Sequence, residues 1–397
     1  MISEPTALLA SFLGFIALIF WLSEQKPLKN LFDLVPPVIW IYALPAGMTA
    51  LSITPKESPL YPLLSGTLLP AALVLLLLGT DLVGVFKIGR PALIMTLVGC
   101  LGIMLGAPLV LLIFGRWLPV DAWSALGALS GSWTGGFANM LAVKESIKTP
   151  DTIFGVAVGM DFLVGYSWTL ILLFCSRYQD QFDRFTRADP KTLEALAQAS
   201  NDRQAAQQTF KPLTTSTLMI LLGLAFSISW LSFAAGKALP EIGAIISHKT
   251  WGFLIVTSVG LLLSLSPLKS FENAGASKLG NGMLYLVVAA LGAQGDLAQI
   301  SQFPLFLVAG VVWIAFHAGI LVVIARWLRI PMALFAAGSQ ACTGGVVSTP
   351  IVAEAYRAGL APVGLLMAIL GNVIGTYAGL TAASLCHQVA IWLWGTI

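Results

Sequence analysis

Two short stretches rich in glycine and hydroxyl residues recur in the chain. The first reads ALSGSWTGG over residues 128–136, and the second reads AGSQACTGG over residues 337–345, with their Thr-Gly-Gly triplets 209 positions apart. Glycine lets the backbone come close to a ligand, and serine and threonine add hydroxyl groups that donate and accept hydrogen bonds. The pattern therefore predicts two turns that bind a small polar ligand. The candidate contacts are Ser130, Gly131, Ser132, Thr134, Gly135, Gly136, Asn139, Ser339, Gln340, Thr343, Gly344, Gly345 and Ser348.

Three further residues are candidates for binding a coupling cation. Asp161 lies near the middle of an apolar run, where an ionised carboxylate costs at least ~2.5 kcal/mol on insertion scales. A Na⁺ ligand and a proton carrier both account for such a residue. Asn372 supplies an amide near the matching position of the second half. Glu354 lies 209 positions after Glu145 and is flanked by alanines, whereas we expect Glu145, next to Lys144, to face water.

Enzymatic, metal-binding and nucleic-acid-binding functions find little support. The four cysteines have no CxxC spacing, the three histidines are far apart, and no HExxH pattern exists. The hydroxyl clusters have no histidine close by in sequence to act as a base. The net charge of only +3 gives no argument for nucleic acid. We therefore expect no catalytic residues, no metal site and no cofactor apart from Na⁺ as a coupling ion.

The composition indicates that the bilayer surrounds most of the chain. Hydrophobic residues make up 57% of it and charged residues only 10%, against about 25% charged residues in soluble domains. Runs of about 17–25 apolar residues can each cross a bilayer as a helix. Ten runs qualify: 6–22, 34–51, 62–79, 91–115, 152–175, 213–233, 250–267, 279–294, 303–325 and 361–386.

Two other apolar segments, 120–147 and 330–357, are broken near their middles by the glycine and hydroxyl clusters. Each arm has roughly ten residues and would be about 15 Å long, half the thickness of the hydrocarbon core. Each segment is therefore expected to form a re-entrant helical hairpin. The second arms begin at the breaks, so their positive N-terminal ends would point towards an anionic ligand at the midplane.

The distribution of basic residues predicts the orientation. With the N-terminus outside, only Lys56, Arg116, Lys144, Lys148, Lys237 and Lys249 face outwards, and the other fifteen of the 21 Lys and Arg face inwards. The polar stretch 176–212 then becomes a cytoplasmic linker, with a solvated helix over 192–209. The cytoplasmic (inner) membrane is the expected location.

The linker divides the chain into two halves that resemble each other. Arg-Trp-Leu at 116–118 and again at 326–328 precedes each broken segment. Five spans before the linker give the halves opposite orientations in the bilayer, as in secondary transporters. The predicted fold class is an all-α integral membrane protein with two inverted five-helix repeats, 1–175 and 213–397, each with a re-entrant helical hairpin.

The run LSGSWTGGFANM at 129–140, with Asp161 downstream, resembles domain-of-unknown-function family 819. More distantly, the chain is similar to the glutamate:sodium and citrate:sodium symporters. That resemblance implies an elevator mechanism and a homodimer. The static scaffold would comprise 6–51 and 213–267, and the moving transport domain 62–175 and 279–386. The basic residue with which those symporters bind substrate has no evident match, so their substrates are not transferred.

These observations predict sodium- or proton-coupled symport of a small polar organic solute, such as a carboxylate or an amino acid. Because no Lys or Arg lies clearly inside a span, a monoanion, a zwitterion or a neutral solute is favoured over a dicarboxylate. Three alternatives remain open: a cation/proton antiporter, a membrane-embedded enzyme and a non-transporting membrane protein.

Overall fold

The computed structural model of the chain describes residues 2, 4–189, 192–194, 196, 212–243, 245–295 and 303–395. Within these ranges the regular structure is helical, apart from one isolated bridge between Ile242 and Ile246. The predicted all-α class is confirmed. Most of the solvated helix expected over 192–209 lies outside the described residues.

Eighteen α-helices are numbered here in chain order. The first half contains α1 Pro5–Ser23, α2 Lys29–Leu34, α3 Pro37–Ala50, α4 Leu60–Leu63, α5 Leu69–Leu78, α6 Leu82–Val85, α7 Arg90–Phe114, α8 Ala122–Gly135, α9 Phe137–Ile147, α10 Asp151–Cys175 and α11 Gln179–Thr186. A π-helical turn over Leu64–Leu68 joins α4 to α5. The second half contains α12 Thr215–Lys237, α13 His248–Leu263, α14 Ala276–Gln294, α15 Phe303–Leu328, α16 Met332–Thr343, α17 Gly345–Tyr356 and α18 Ala361–Trp394.

Eight helices in the described part of the chain are long and apolar enough to cross a membrane, or ten if two bent pairs each count as one span. Eight of the predicted spans coincide with the eight continuous helices. The other two predictions, 34–51 and 250–267, coincide with α3 and α13, which belong to the bent pairs. The bends measure 84° and 92° and lie next to prolines, which cannot continue the hydrogen-bond ladder of a helix.

The packing partners of the helices define two bundles. α3 packs on α14, α5 packs on α13 and α14, and α12 packs on α13. Together with α1 and α4, these helices are called the companion bundle. α8 packs on α9 and α18, α7 packs on α15, α16 and α18, and α10 packs on α8 and α15. With α17, these helices are called the hairpin bundle.

This division differs from the predicted domains at one boundary. The predicted transport domain, 62–175 and 279–386, included the stretches that form α5 and α14, but both helices have their main packing partners in the companion bundle. Glycines explain the close approach of these helices. A methyl group added at Gly280 would lie 3.1 Å from Ala72 O, and one added at Gly260 would lie 3.0 Å from Leu77 Cβ.

A stripe of small residues holds the long helix α18 against α8. Gly371, Gly375 and Gly379 recur every fourth residue of α18 and face α8. A methyl group added at Gly379 would lie 2.8 Å from the Cα of Gly131, and one at Gly375 would lie 2.5 Å from the Cα of Gly135. The backbones of the two helices are therefore in direct contact, as small-residue helix interfaces allow.

Candidate functional site

The segment 120–147 forms an antiparallel helical hairpin from α8 and α9. Gly136 separates the arms with φ 84° and ψ 173°, a conformation that is strained for any residue with a Cβ. The arms lie side by side, because a methyl group at Gly131 would be 3.0 Å from Val143, and Thr149 Oγ1 donates a hydrogen bond to Ser124 O at 3.3 Å. The hairpin shape was predicted, and its re-entry into a membrane stays a prediction.

The segment 330–357 forms the second helical pair, α16 and α17. Its break lies at Gly344 and Gly345, and Gly345 has φ 64°. Across this turn Gln340 Nε2 donates a hydrogen bond to Ser348 Oγ at 2.7 Å. A methyl group at Gly344 would overlap both side chains, so glycine is required there by space.

Both breaks come together at α10 and α18. A methyl group at Gly371 of α18 would overlap Thr134 O of the first hairpin and would lie 3.3 Å from Ala341 O of the second. On α10, a methyl group at Gly165 would lie 3.3 Å from Thr343 O. Carbonyl groups near the C-terminal ends of α8 and α16 therefore meet in one small region, where the last carbonyls of a helix have no intrahelical partner.

Asp161 and Asn372 both lie near the first break. Ser132 Oγ donates a hydrogen bond to Asp161 Oδ2 at 2.8 Å, and the residue is half-buried. Asp161 is one helical turn before Gly165, so it lies within about 6 Å along the axis from the level of the second break. Asn372 Oδ1 would be 3.5 Å from a methyl group at Gly136.

Asn139 uses its amide to fix the first break. Its Nδ2 donates to Gly135 O and, at 3.4 Å, to Asn372 O, while its Oδ1 accepts from Thr376 Oγ1 at 2.5 Å. Every polar atom of this side chain is engaged by the protein. Asn139 therefore positions the turn instead of offering an open contact to a ligand.

Several predicted hydroxyl contacts are also occupied. Thr134 Oγ1 donates to Ser130 O, and Thr343 Oγ1 donates to Ser339 O at 3.1 Å, so both hydroxyl hydrogens turn back to their own helices. Ser130 Oγ is the exception, since this buried atom has no hydrogen-bond partner among the described residues. Ser132 donates to Asp161, so Ser130 and the backbone at the break remain the open groups of the first hairpin.

Ser339 belongs to a buried polar cluster whose members the sequence did not connect. It accepts from Trp168 Nε1 at 2.8 Å and contacts His317 Nε2 at 2.9 Å, and His317 Nδ1 lies 3.0 Å from Gly99 O. Because a carbonyl can only accept, Nδ1 carries the hydrogen and Ser339 donates to Nε2. The cluster is satisfied internally and links α10, α15 and α16.

The structure does not bring Glu354 to the site. It lies nine residues after Gly345, about 14 Å along α17, and its carboxylate is exposed. The two oxygens accept from Gly359 N at 3.0 and 3.1 Å, and one accepts from Ala361 N at 3.1 Å. Its position is explained by these backbone hydrogen bonds at the start of α18, which corrects its prediction as a ligand of the ion.

Glu145 was expected to face water, and this expectation is wrong. Glu145 and Lys144 are only 7% and 6% exposed. Lys144 Nζ lies 3.0 Å from Glu145 Oε1 and 2.7 Å from Asp151 Oδ1, while Lys249 Nζ lies 2.5 Å from Glu145 Oε2. This four-charge network joins α9 and α10 to α13 across the two bundles. Lys249 is 104 positions from Glu145, so no local signal could reveal that contact.

The family model described as "Protein of unknown function (DUF819)" matches residues 10–389. The chain belongs to the DUF819 family. The match includes both hairpins and the helices α10 and α18 that meet them. The chain is also similar to "Uncharacterized membrane protein YjcL" of Bacillus subtilis (strain 168), with 25% identity over 392 residues, which covers 92% of this chain and 95% of the relative. This DUF819 chain is a multi-pass membrane protein.

Proposed function

We propose that this DUF819 protein is a secondary active transporter that couples Na⁺ or protons to symport of a small polar organic solute. The observation that carries the proposal is the meeting of two helix breaks beside a carboxylate. The breaks at Gly136 and Gly344–Gly345 converge on α10 and α18, and Asp161 lies next to them. Irregular backbone and a carboxylate inside membrane-spanning segments are tolerated where they serve a binding cavity.

The coupling ion is assigned to the oxygen-rich side of this region. Asp161 offers a carboxylate, Ser132 a hydroxyl, and the ends of α8 and α16 offer carbonyls such as Thr134 O and Ala341 O. Oxygen ligands suit hard cations, and the C-terminal ends of helices carry a partial negative charge. Asn372 Oδ1, near Gly136, supplies a neutral ligand. Protonation of Asp161 is the alternative form of coupling.

The organic solute is assigned to the opposite ends of the breaks. α9 and α17 begin at Phe137 and Gly345, and they contain 11 and 12 residues. Their first N–H groups have no intrahelical acceptor, and the positive end of each helix dipole favours a carboxylate. One site would thus place a cation near helix C-termini and an anion near helix N-termini.

The transport movement is assigned to the hairpin bundle sliding against the companion bundle. Equivalent helices make equivalent contacts in the two halves. α3 packs on α14, and their counterparts α13 and α5 also pack on each other. In the same way α8 packs on α10, and their counterparts α16 and α18 pack on each other. These pairings support the inverted repeats. α1 and α12 have only 17% and 22% of their apolar windows buried, which supports a companion bundle that contacts lipid and a second copy in a homodimer. We place it in the cytoplasmic membrane with the N-terminus outside.

The experiment is thermal unfolding of the detergent-purified protein in Na⁺ against K⁺ or choline at several pH values. A ligand that binds only the folded state stabilises it by about 2.7 kcal/mol at 100 times its Kd. We expect a Na⁺-specific rise in Tm that is lost in Asp161→Asn and retained in the matched control Glu354→Gln.

A response to pH without a response to Na⁺ would assign proton coupling. No response to either would refute the coupled carrier. Na⁺ flux driven by a pH gradient in proteoliposomes without any organic solute would replace symport with cation/proton antiport.

A further inference from the structure

Gln340 is a fully buried amide with one unused oxygen. Its Nε2 donates to Thr169 Oγ1 at 2.8 Å and to Ser348 Oγ at 2.7 Å. Thr169 Oγ1 donates its only hydrogen to Gly165 O at 3.0 Å, so it can only accept a hydrogen bond from Gln340. This fixes the amide with its nitrogen towards the hydroxyls. The remaining atom, Oε1, has no hydrogen-bond partner among the described residues.

An unpaired buried acceptor is unfavourable, because it has lost its hydrogen bonds to water without gaining another partner. Native proteins seldom keep such an atom without a reason. Gln340 is 0% exposed and is held from both sides through its nitrogen. The direction of Oε1 is therefore fixed. This oxygen can accept a hydrogen bond from a donor group of a bound molecule.

This amide lies against the first turn of α17. Ser348, its partner, is the fourth residue of that 12-residue helix, and Gly344 leaves no space for a methyl group beside the amide. The break itself is reachable, because Gly344, Val346 and Val347 are exposed. The amide of Gln340 thus contacts the first turn of α17 through its nitrogen, and the free N–H groups of that turn favour an anion.

The two features together suit an α-amino acid. A carboxylate fits the helix N-terminus, and an ammonium group two bonds away from the carboxylate carbon can donate to Gln340 Oε1. A metal cation fits less well at Oε1, since hard cations take several oxygen ligands. Among the described residues at the second break, Oε1 is the one buried side-chain oxygen without a hydrogen-bond partner. The oxygen-rich surroundings of Asp161 suit the cation better.

We propose that the second break binds the α-carboxylate of an amino acid at the N-terminus of α17 and its α-ammonium at Gln340 Oε1. This inference rests on the proposed transport function and narrows its solute to the amino acids.

The test compares each of the twenty protein amino acids with its des-amino carboxylate, for example L-alanine with propionate and L-leucine with 4-methylpentanoate. Affinity is measured in Na⁺ by the rise in Tm with ligand concentration. A hydrogen bond from a charged donor contributes about 1.5–3 kcal/mol, so loss of the amino group should weaken binding by about 10- to 150-fold.

Variants of Gln340 test whether its side-chain oxygen is responsible for the preference for amino acids over des-amino carboxylates. Gln340→Met has a similar volume and no acceptor, and the preference for the amino group should fall to under about 3-fold. Gln340→Glu keeps the acceptor, and it should retain the preference. Ser348→Ala, the matched control, removes a partner of Nε2 but not Oε1, so its preference should also remain.

Two results would overturn the inference while leaving the proposed function intact. One is a wild-type protein that binds des-amino carboxylates in Na⁺ as tightly as amino acids. The other is Gln340→Glu losing the preference, or Gln340→Met keeping it, in a folded protein that Na⁺ still stabilises. A wild-type protein that responds neither to Na⁺ and pH nor to any of these solutes would refute both proposals.

Discussion

The buried charge network allows a quantitative prediction for Glu145→Gln. Glu145 lies between Lys144 and Lys249, and Lys144 also contacts Asp151, so two positive and two negative groups balance. The substitution keeps the shape of the side chain and leaves a net charge of one positive unit. Removing one partner of a buried ion pair usually destabilises a protein by about 3–5 kcal/mol.

The expected loss of stability in Glu145→Gln is smaller than this, because both lysines keep a favourable environment. Lys144 keeps Asp151 at 2.7 Å, and the side chain of Lys249 is 36% exposed, so water can solvate it. We therefore expect Glu145→Gln to destabilise the protein by about 2–3 kcal/mol, below the range for a fully buried pair. In thermal unfolding in detergent this corresponds to a fall in Tm on the order of 5 °C.

A double-mutant cycle separates charge imbalance from lost packing. Lys249→Met leaves Glu145 paired with Lys144, and it should be destabilising by about 1 kcal/mol. The double variant Glu145→Gln, Lys249→Met restores neutrality, because Lys144 and Asp151 remain. It should unfold at a higher Tm than Glu145→Gln alone.

The reasoning would be refuted by additive effects in this cycle, in which the double variant loses the sum of the two single losses. It would equally be refuted by a Glu145→Gln protein that is as stable as the wild type, since a buried charge cannot lose its partner without effect.

Three further predictions concern the site and its supports. Gly371→Ala should lower Tm by an amount equivalent to about 1–3 kcal/mol and weaken the Na⁺ response, because its methyl group would overlap Thr134 O. Gly319→Ala is the matched control. Nothing lies within 4 Å of its new methyl group, so this variant should be neutral or stabilising. Asn139→Ala should be destabilising by about 1–3 kcal/mol in the same unfolding assay, since Thr376 Oγ1 and Gly135 O lose their partner. Trp168→Phe should be destabilising by about 1 kcal/mol through loss of the hydrogen bond to Ser339 and should leave the Na⁺ response unchanged.

The sequence predicted those features that depend on local composition. The length of an apolar run decides whether a helix can cross a bilayer, and this information is contained in the run itself. The glycine breaks could also be predicted, because the positive φ at Gly136 and Gly345 is accessible to glycine and strained for other residues. For these reasons the positions of the helices and of both hairpin breaks can be predicted from the sequence.

Features that depend on partners far away in the chain were missed. α5 and α14 are apolar on most of their surface, so no periodicity indicated which bundle would cover them. The same limit hid the contact of Lys249 with Glu145. It also led to the predictions that Glu354 binds the coupling ion and that Glu145 faces water, although Glu354 accepts backbone hydrogen bonds at the start of α18 and Glu145 is buried among charges.

The two repeated motifs have different surroundings, and this difference bears on their roles. Small residues of α18 lie directly on α8, so Thr134 and Gly135 are buried and Asn139 ties the turn to α18. α16 instead packs on α7, where a methyl group added at Gly99 would lie 2.8 Å from Cys342 Sγ. The break at Gly344 is exposed. A turn fixed on several sides is suited to holding a small ion in set geometry. An exposed turn beside a buried, unpaired acceptor is suited to receiving a solute. This contrast supports a cation bound next to Asp161 and the first break, and an amino acid bound at the second break.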